Sequence, residues 1–143
     1  MRHRRKVKKF KSGKDANKML FRKLTRNFLS RGTIVTSLKK AKVLKSEIEK
    51  SVQKAKKNTQ ASRNVLLKKI ADKRIIDILS KQVVPVFTDV SSGFVRLIKL
   101  GQRASDGTEM VKVEWTKPVV LNGKKPEKKS DTSDTEVKKS KSK

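Results

Sequence analysis

Apolar positions along the chain follow two periods, and the alternation between them sets out the elements. From Lys14 to Ser30, Ala16, Leu20, Leu24 and Phe28 recur every fourth residue, joined by Met19. That spacing predicts a helix with one apolar stripe, and Lys14, Lys18, Arg22 and Arg26 are expected on its opposite side. Gly32 is placed to end this helix as a C′ residue. The β-branched run Thr33 to Thr36 predicts a strand. A second helix follows, capped by Thr36 or Ser37, with Leu38, Ala41, Leu44, Ile48, Val52 and Ala55 as its stripe. After the polar break 58–60, residues 61–69 predict a short helix using Val65, Leu66 and Ile70. Asp72 should cap a fourth, which buries Ile75, Ile76, Leu79 and Val83 and stops at Pro85 because Val84 precedes a proline. Residues 85–92 read as a loop.

The period then changes to two. Phe94 to Leu100 is mostly apolar and β-rich, Ser105-Asp106-Gly107 is a turn signal, and Met110 to Trp115 alternates strictly. Val111, Val113 and Trp115 should face the core, with Met110, Lys112 and Glu114 on the other face. Trp115 is therefore read as packing rather than as a platform for a base. Pairing the hairpin with the strand at 33–36 gives an α+β fold, a two-layer arrangement of order α-β-α-α-α-β-β with a small three-stranded sheet packed on helices. Residues 14–118 form the expected globular domain.

Neither end of the chain carries such a pattern. Residues 1–13 are a basic arm with only Val7 and Phe10 apolar after Met1, and 119–143 read as a disordered Lys/Ser-rich tail. The first 31 residues hold thirteen Lys or Arg against one acid, Asp15. Over all 143 residues, 40 basic and 13 acidic side chains leave a net charge of +27. A chain so charged repels itself unless a polyanion relieves it, which directs attention to RNA, DNA or an anionic membrane surface.

Other chemistries find little support. No apolar run is long enough to span a bilayer, no apolar segment follows the charged N-terminus as in a signal peptide, and a cytoplasmic location is expected. The absence of cysteine excludes disulfides, thiol catalysis and Cys-bound zinc. The single histidine, His3, has no neighbouring ligand or triad partner, the acids are scattered, and no GxxxxGK[ST] loop occurs. No enzyme activity, cofactor, metal site or small-molecule substrate is expected.

The candidate chemistry is thus basic surface. Arg2, His3, Arg4, Arg5, Lys6, Lys8, Lys9 and Lys11 lie in the arm, and Lys14, Lys18, Arg22 and Arg26 on the first helix. Lys39 and Lys42 open the second helix, where a solvated face and phosphate contacts are both compatible with the pattern. Arg96, Lys99 and Arg103 belong to the hairpin. Arg96 and Lys99 point to opposite faces, so one can meet RNA, while edge-strand protection accounts for them equally well. Few aromatics argue against a single-strand stacking platform, and extended arms on a small core suit a folded RNA with crevices dense in phosphate. A DNA compactor and a peripheral membrane protein are the alternatives. The second lacks any lipidation site and needs an apolar stripe already committed to a core.

Several stretches resemble one family. The opening MRHRR with its basic arm, the segment Leu20-Phe21-Arg22-Lys23-Leu24, and the ungapped run from Gly32 to Leu44 are similar to the bacterial large-subunit ribosomal protein 17 family. So is the hairpin pattern Gly93-Phe94-Val95-Arg96-Leu97-Ile98-Lys99 followed by Arg103, Asp106 and Met110. The resemblance covers residues 1 to about 116. Where that family carries His-Arg in its first helix, this chain has Ala16 and Asn17. The resemblance implies a structural protein of the large ribosomal subunit, with 23S rRNA as partner. It further implies a position near the peptide exit side, beside the ribosomal proteins numbered twenty-two and thirty-two.

Overall fold

The computed structural model describes residues 10–121. Residues 1–9, residues 122–143 and the side chain of Lys14 lie outside that description, and with them the expectations for Arg2, His3, Arg4, Arg5, Lys6, Lys8, Lys9 and most of the tail.

Helix α1 (Lys14–Arg31) ends where Gly32 takes a left-handed conformation at φ +77°, its N–H donating to the Phe28 carbonyl. Strand β1 (Thr33–Ser37) leads directly into α2 (Leu38–Lys56). Ser37 holds the extended N-cap backbone expected of it but makes no side-chain capping bond. Helix α3 (Gln60–Ile70) starts from a reciprocal capping box between Thr59 and Ser62. Helix α4 (Lys73–Ile78) starts from Asp72, whose carboxylate accepts from the Arg74 N–H. Strands β2 (Val95–Gln102) and β3 (Glu109–Trp115) form the hairpin.

The sheet has the order β1-β3-β2 and is antiparallel throughout, with Ile34 opposite Val113 and Leu97 opposite the same residue. Val95, Val111, Val113 and Trp115 are buried on its inner face, as strict alternation requires. Helix α2 touches all three strands as well as α1 and α3. Its stripe of Ala41, Leu44, Ile48, Val52 and Ala55 is therefore the centre of the core. Phe28, Phe87 and Trp115 meet there, with ring centroids 4.6 Å apart for Phe28 and Trp115.

Four expectations need correction. The buried face of α1 is formed by Phe21, Thr25, Phe28 and Leu29, while Leu20 and Leu24 are half-buried and Ala16 and Met19 exposed. The stripe has moved by one residue, about 100° around the axis. Leu29 made this possible, because α1 is apolar on two adjoining strips and its neighbours decide which one is covered.

Pro85 does not end the fourth helix. The chain passes through a π-helical segment, Leu79–Val83, into a last turn, α5 (Val84–Val86). A proline in an α-helix clashes with the carbonyl four residues back and leaves it without a donor. The wider π turn just before Pro85 relieves both, and Val84 stays helical at φ −56°. Val65, expected inside, is exposed, and α3 buries Leu66 and Ile70 alone. Finally, packing continues past the expected limit at 118 to Leu121, which is buried beside Gly32 and Trp115.

Candidate nucleic-acid interface

Phe10, the first described residue, is anchored on the domain. Phe10 packs edge-on against Phe21 with centroids 5.4 Å apart, and its N–H donates to Asn17 Oδ1 at 3.2 Å. Lys11 is exposed beside this anchor. The sequence carried one signal for it: Phe10 is an aromatic in a segment with almost no other apolar residue. Lys18 of α1 lines a hollow between α1 and α3 together with Lys68 and Lys69. These two lysines close α3 and had no feature in the sequence to single them out. A loose pair joins Lys18 to Asp15 at 3.6 Å, both well exposed.

Arg22 and Arg26 do not stand on a free outer surface. The structure gives them partners inside the chain. Arg22 donates from Nε to the Lys69 carbonyl at 3.0 Å and from Nη2 to the Lys68 carbonyl at 3.0 Å. Arg26 donates from Nε to the Ile70 carbonyl at 2.7 Å and from Nη2 to the Ala71 carbonyl. These are the last carbonyls of α3, which have no acceptor role within the helix. Two guanidinium forks satisfy them and neutralise the negative end of the helix dipole. Ala71, held at φ +56°, completes that terminus.

A second basic zone lies at the far end of the sheet. The register sets Ser37, Met110 and Gly101 in one row, so the start of α2 and the hairpin tip share that end. Lys39 and Lys42 are exposed there, and so is Lys99. From Ile98 to Gly107 every residue is exposed, so the hairpin projects beyond the helices that cover its base. A bulge between Lys99 and Gly101 bends it. Arg103 pairs with Asp106 across the tip, which raises the pKa of the guanidinium and holds the carboxylate well below its usual range. Arg103 N–H and the Thr108 carbonyl close the turn at 2.9 Å.

On the open face of the sheet, Arg96 and Lys112 both hold Glu114, at 2.6 and 2.8 Å. The hydrogen bond from Lys112, and then that from Arg96, lower the Glu114 pKa against the opposing effect of burial. Arg96 is thus on the open face and Lys99 on the other, as the spacing requires. Among the described site residues, Lys11, Lys18, Arg22 and Arg26 lie towards the Phe10 end. Lys39, Lys42, Lys99 and Arg103 lie towards the far end of the sheet, and Arg96 lies apart on the open face. Arg22, Arg26, Arg96 and Arg103 are each engaged within the chain.

Among the described residues no helix is long and apolar enough to cross a membrane, and no three His, Cys, Asp or Glu side chains gather as a metal site. The fold and its surface define a small, strongly basic α+β protein with exposed cations on a projecting hairpin, a helix start and beside Phe10. Comparison with known proteins narrows this. The family model described as Ribosomal protein L17 matches residues 20–116. The large ribosomal subunit protein bL17 of Methylacidiphilum infernorum is 34% identical over 116 residues, spanning 81% of this chain and 88% of that relative. The bL17 protein of Sulfurihydrogenibium sp. is also 34% identical over 116 residues, spanning 80% and 96%. That of Natranaerobius thermophilus is 37% identical over 107 residues, spanning 75% and 95%. The chain belongs to the ribosomal protein L17 family, whose members are structural components and not enzymes.

Proposed function

We propose that this protein is a structural constituent of the large ribosomal subunit in the bacterial cytoplasm, where it binds and stabilises folded 23S rRNA. Membership of the L17 family, together with the net charge of +27, carries this reading. The arm at 1–13 threads between RNA helices, with Arg2, His3, Arg4, Arg5, Lys6, Lys8, Lys9 and Lys11 against phosphate. Anchoring of Phe10 on Phe21 supports this, because it ties the last residues of the arm to the domain. Lys14 and Lys18 extend the contact along α1, while Arg22 and Arg26 hold α3 beneath it. Lys39, Lys42 and Lys99 form a second contact, where the projecting hairpin, with Arg103 at its tip and Arg96 at its base, enters a groove or junction. A position near the peptide exit side, beside the ribosomal proteins numbered twenty-two and thirty-two, follows from the family resemblance.

The test is sedimentation of native lysate in a sucrose gradient at moderate and high salt, comparing the full chain with one lacking residues 1–12. The full chain should travel with the large subunit and remain there after a high-salt wash, and the truncated chain should be largely lost from it. Release of the full chain at modest salt, or its recovery with chromosomal DNA or membrane, would overturn the proposal. Normal incorporation of the truncated chain would overturn the part given to the arm.

A further inference from the structure

The hollow between α1, α2 and α3 has a shape and a lining that phosphate neutralisation does not require. It is a cavity of about 370 Å³. That falls within the roughly 300–1,000 Å³ of sites that enclose a small molecule. Its buried lining residues are Phe21 and Ile70, which are apolar, and Thr25, which carries both a methyl and a hydroxyl. Its exposed lining residues are cationic, Lys18 from α1 and Lys68 from α3. An inorganic phosphate would use these cations and leave the apolar lining without a partner. A planar base with a phosphate attached would use both.

We propose that this cavity receives one nucleotide extruded from the bound RNA, with its base inside and its phosphate between Lys18 and Lys68. The inference rests on the RNA-binding reading above and adds a specific subsite to it. Unstacked bases are the part of an RNA that a protein can read, by their faces and their hydrogen-bonding edges. Two polar groups at the wall set which edge is preferred. The Glu47 carboxylate is fixed by Lys69 Nζ at 2.8 Å, and its remaining lone pairs accept from an exocyclic amine. Asn17, also in the lining, has its amide oxygen engaged by the Phe10 N–H, which leaves its amide nitrogen as a donor. An acceptor and a donor in one lining are the groups that the amine and ring nitrogen of cytosine or adenine require. Uracil, with a carbonyl where cytosine has its amine, faces the carboxylate with an acceptor. Because Phe10 holds Asn17 and also starts the arm, the nucleotide would be gripped next to where the arm enters the RNA.

The ¹⁵N-labelled full chain should be titrated with CMP, UMP and ribose 5-phosphate while amide shifts are followed. CMP should give saturable shifts centred on residues 17–25, 47 and 68–70, with UMP and ribose 5-phosphate about tenfold weaker for want of the matched edge. Lys68→Glu should abolish the CMP response, and Lys81→Glu, at an exposed position on the π-helical segment outside both basic zones, should leave it intact. Equal responses to CMP and ribose 5-phosphate, or shifts spread over all basic residues, would overturn the pocket. In the assembled particle, zero-length ultraviolet cross-linking should join a base to the peptide spanning Asn17 to Thr25. Cross-links confined to other peptides would also overturn it. Retained, salt-dependent binding to 23S rRNA in either of those cases would leave the RNA-binding reading standing, and loss of that binding would remove both.

Discussion

Replacing Arg26 by alanine separates a structural guanidinium from an RNA-facing one. Its Nε donates to the Ile70 carbonyl at 2.7 Å, and its Nη2 donates to the Ala71 carbonyl. The first bond is partly shielded from water and the second is exposed. A charge-assisted bond of the shielded kind is worth about 1.5–3 kcal/mol, and the exposed one much less, because water replaces the donor when the side chain is gone. The cation at the end of α3 adds about 0.3–1 kcal/mol through the helix dipole. Together these give a loss of about 2 kcal/mol, a drop in Tm of roughly 8 °C for a domain of this size. Arg26→Lys keeps the charge and loses the two-point geometry, so it should fall about midway. The assay is thermal unfolding by circular dichroism of the full chain and both variants, with rRNA affinity measured well below the lowest Tm. The expected result is a clear fall in Tm with affinity little changed. A Tm unchanged in Arg26→Ala, with affinity reduced, would refute the assignment and return Arg26 to the RNA surface.

Three further substitutions test the fold around the site. Ala71→Gly should stabilise by about 0.5–1 kcal/mol, seen as a higher Tm, because Ala71 sits at φ +56° where a side chain is strained and glycine is not. Gly32→Ala should cost about 1–2 kcal/mol for the reverse reason, since Gly32 holds φ +77° and a new Cβ would lie 3.3 Å from Leu121 Cδ1. An unchanged Tm would show that α1 ends in another way. For Glu114 the sign follows from its lowered pKa. The stability it contributes is present above its unfolded value near 4.5 and lost as pH falls through the lower folded value. Glu114→Gln should therefore cost about 1 kcal/mol at neutral pH and flatten the fall of Tm in acid, and parallel acid profiles for the two proteins would contradict the triad with Arg96 and Lys112.

The sequence alone determined what is decided within a few residues of chain. Strict alternation from Met110 to Trp115 assigned the inner and outer faces of β3, because a strand has a period of two and one wet face. The stripe of α2 was legible for the same reason, since its other positions are almost all charged or polar and leave one way to pack. Gly32 and Asp72 marked helix ends because caps satisfy local backbone groups. The family resemblance was legible too, carried by linear motifs from the opening MRHRR to the hairpin.

Tertiary structure decided the rest. Helix α1 has apolar residues on two adjoining strips, and only the placement of α2, α3 and α4 selected Phe21, Thr25 and Leu29 over Ala16 and Met19. That choice also turned Arg22 and Arg26 towards the carbonyls of α3, some 44–47 residues away in sequence, where no local pattern could pair them. Pro85 was a valid local stop signal, overridden because continuing the helix places Val83 and Phe87 in the core and a π turn removes the clash. The cavity beside the arm root exists only where three helices meet, and its residues come from positions 17–25, 47 and 68–70. Periodicity can show that a side chain leaves the core; what it then faces depends on elements far along the chain.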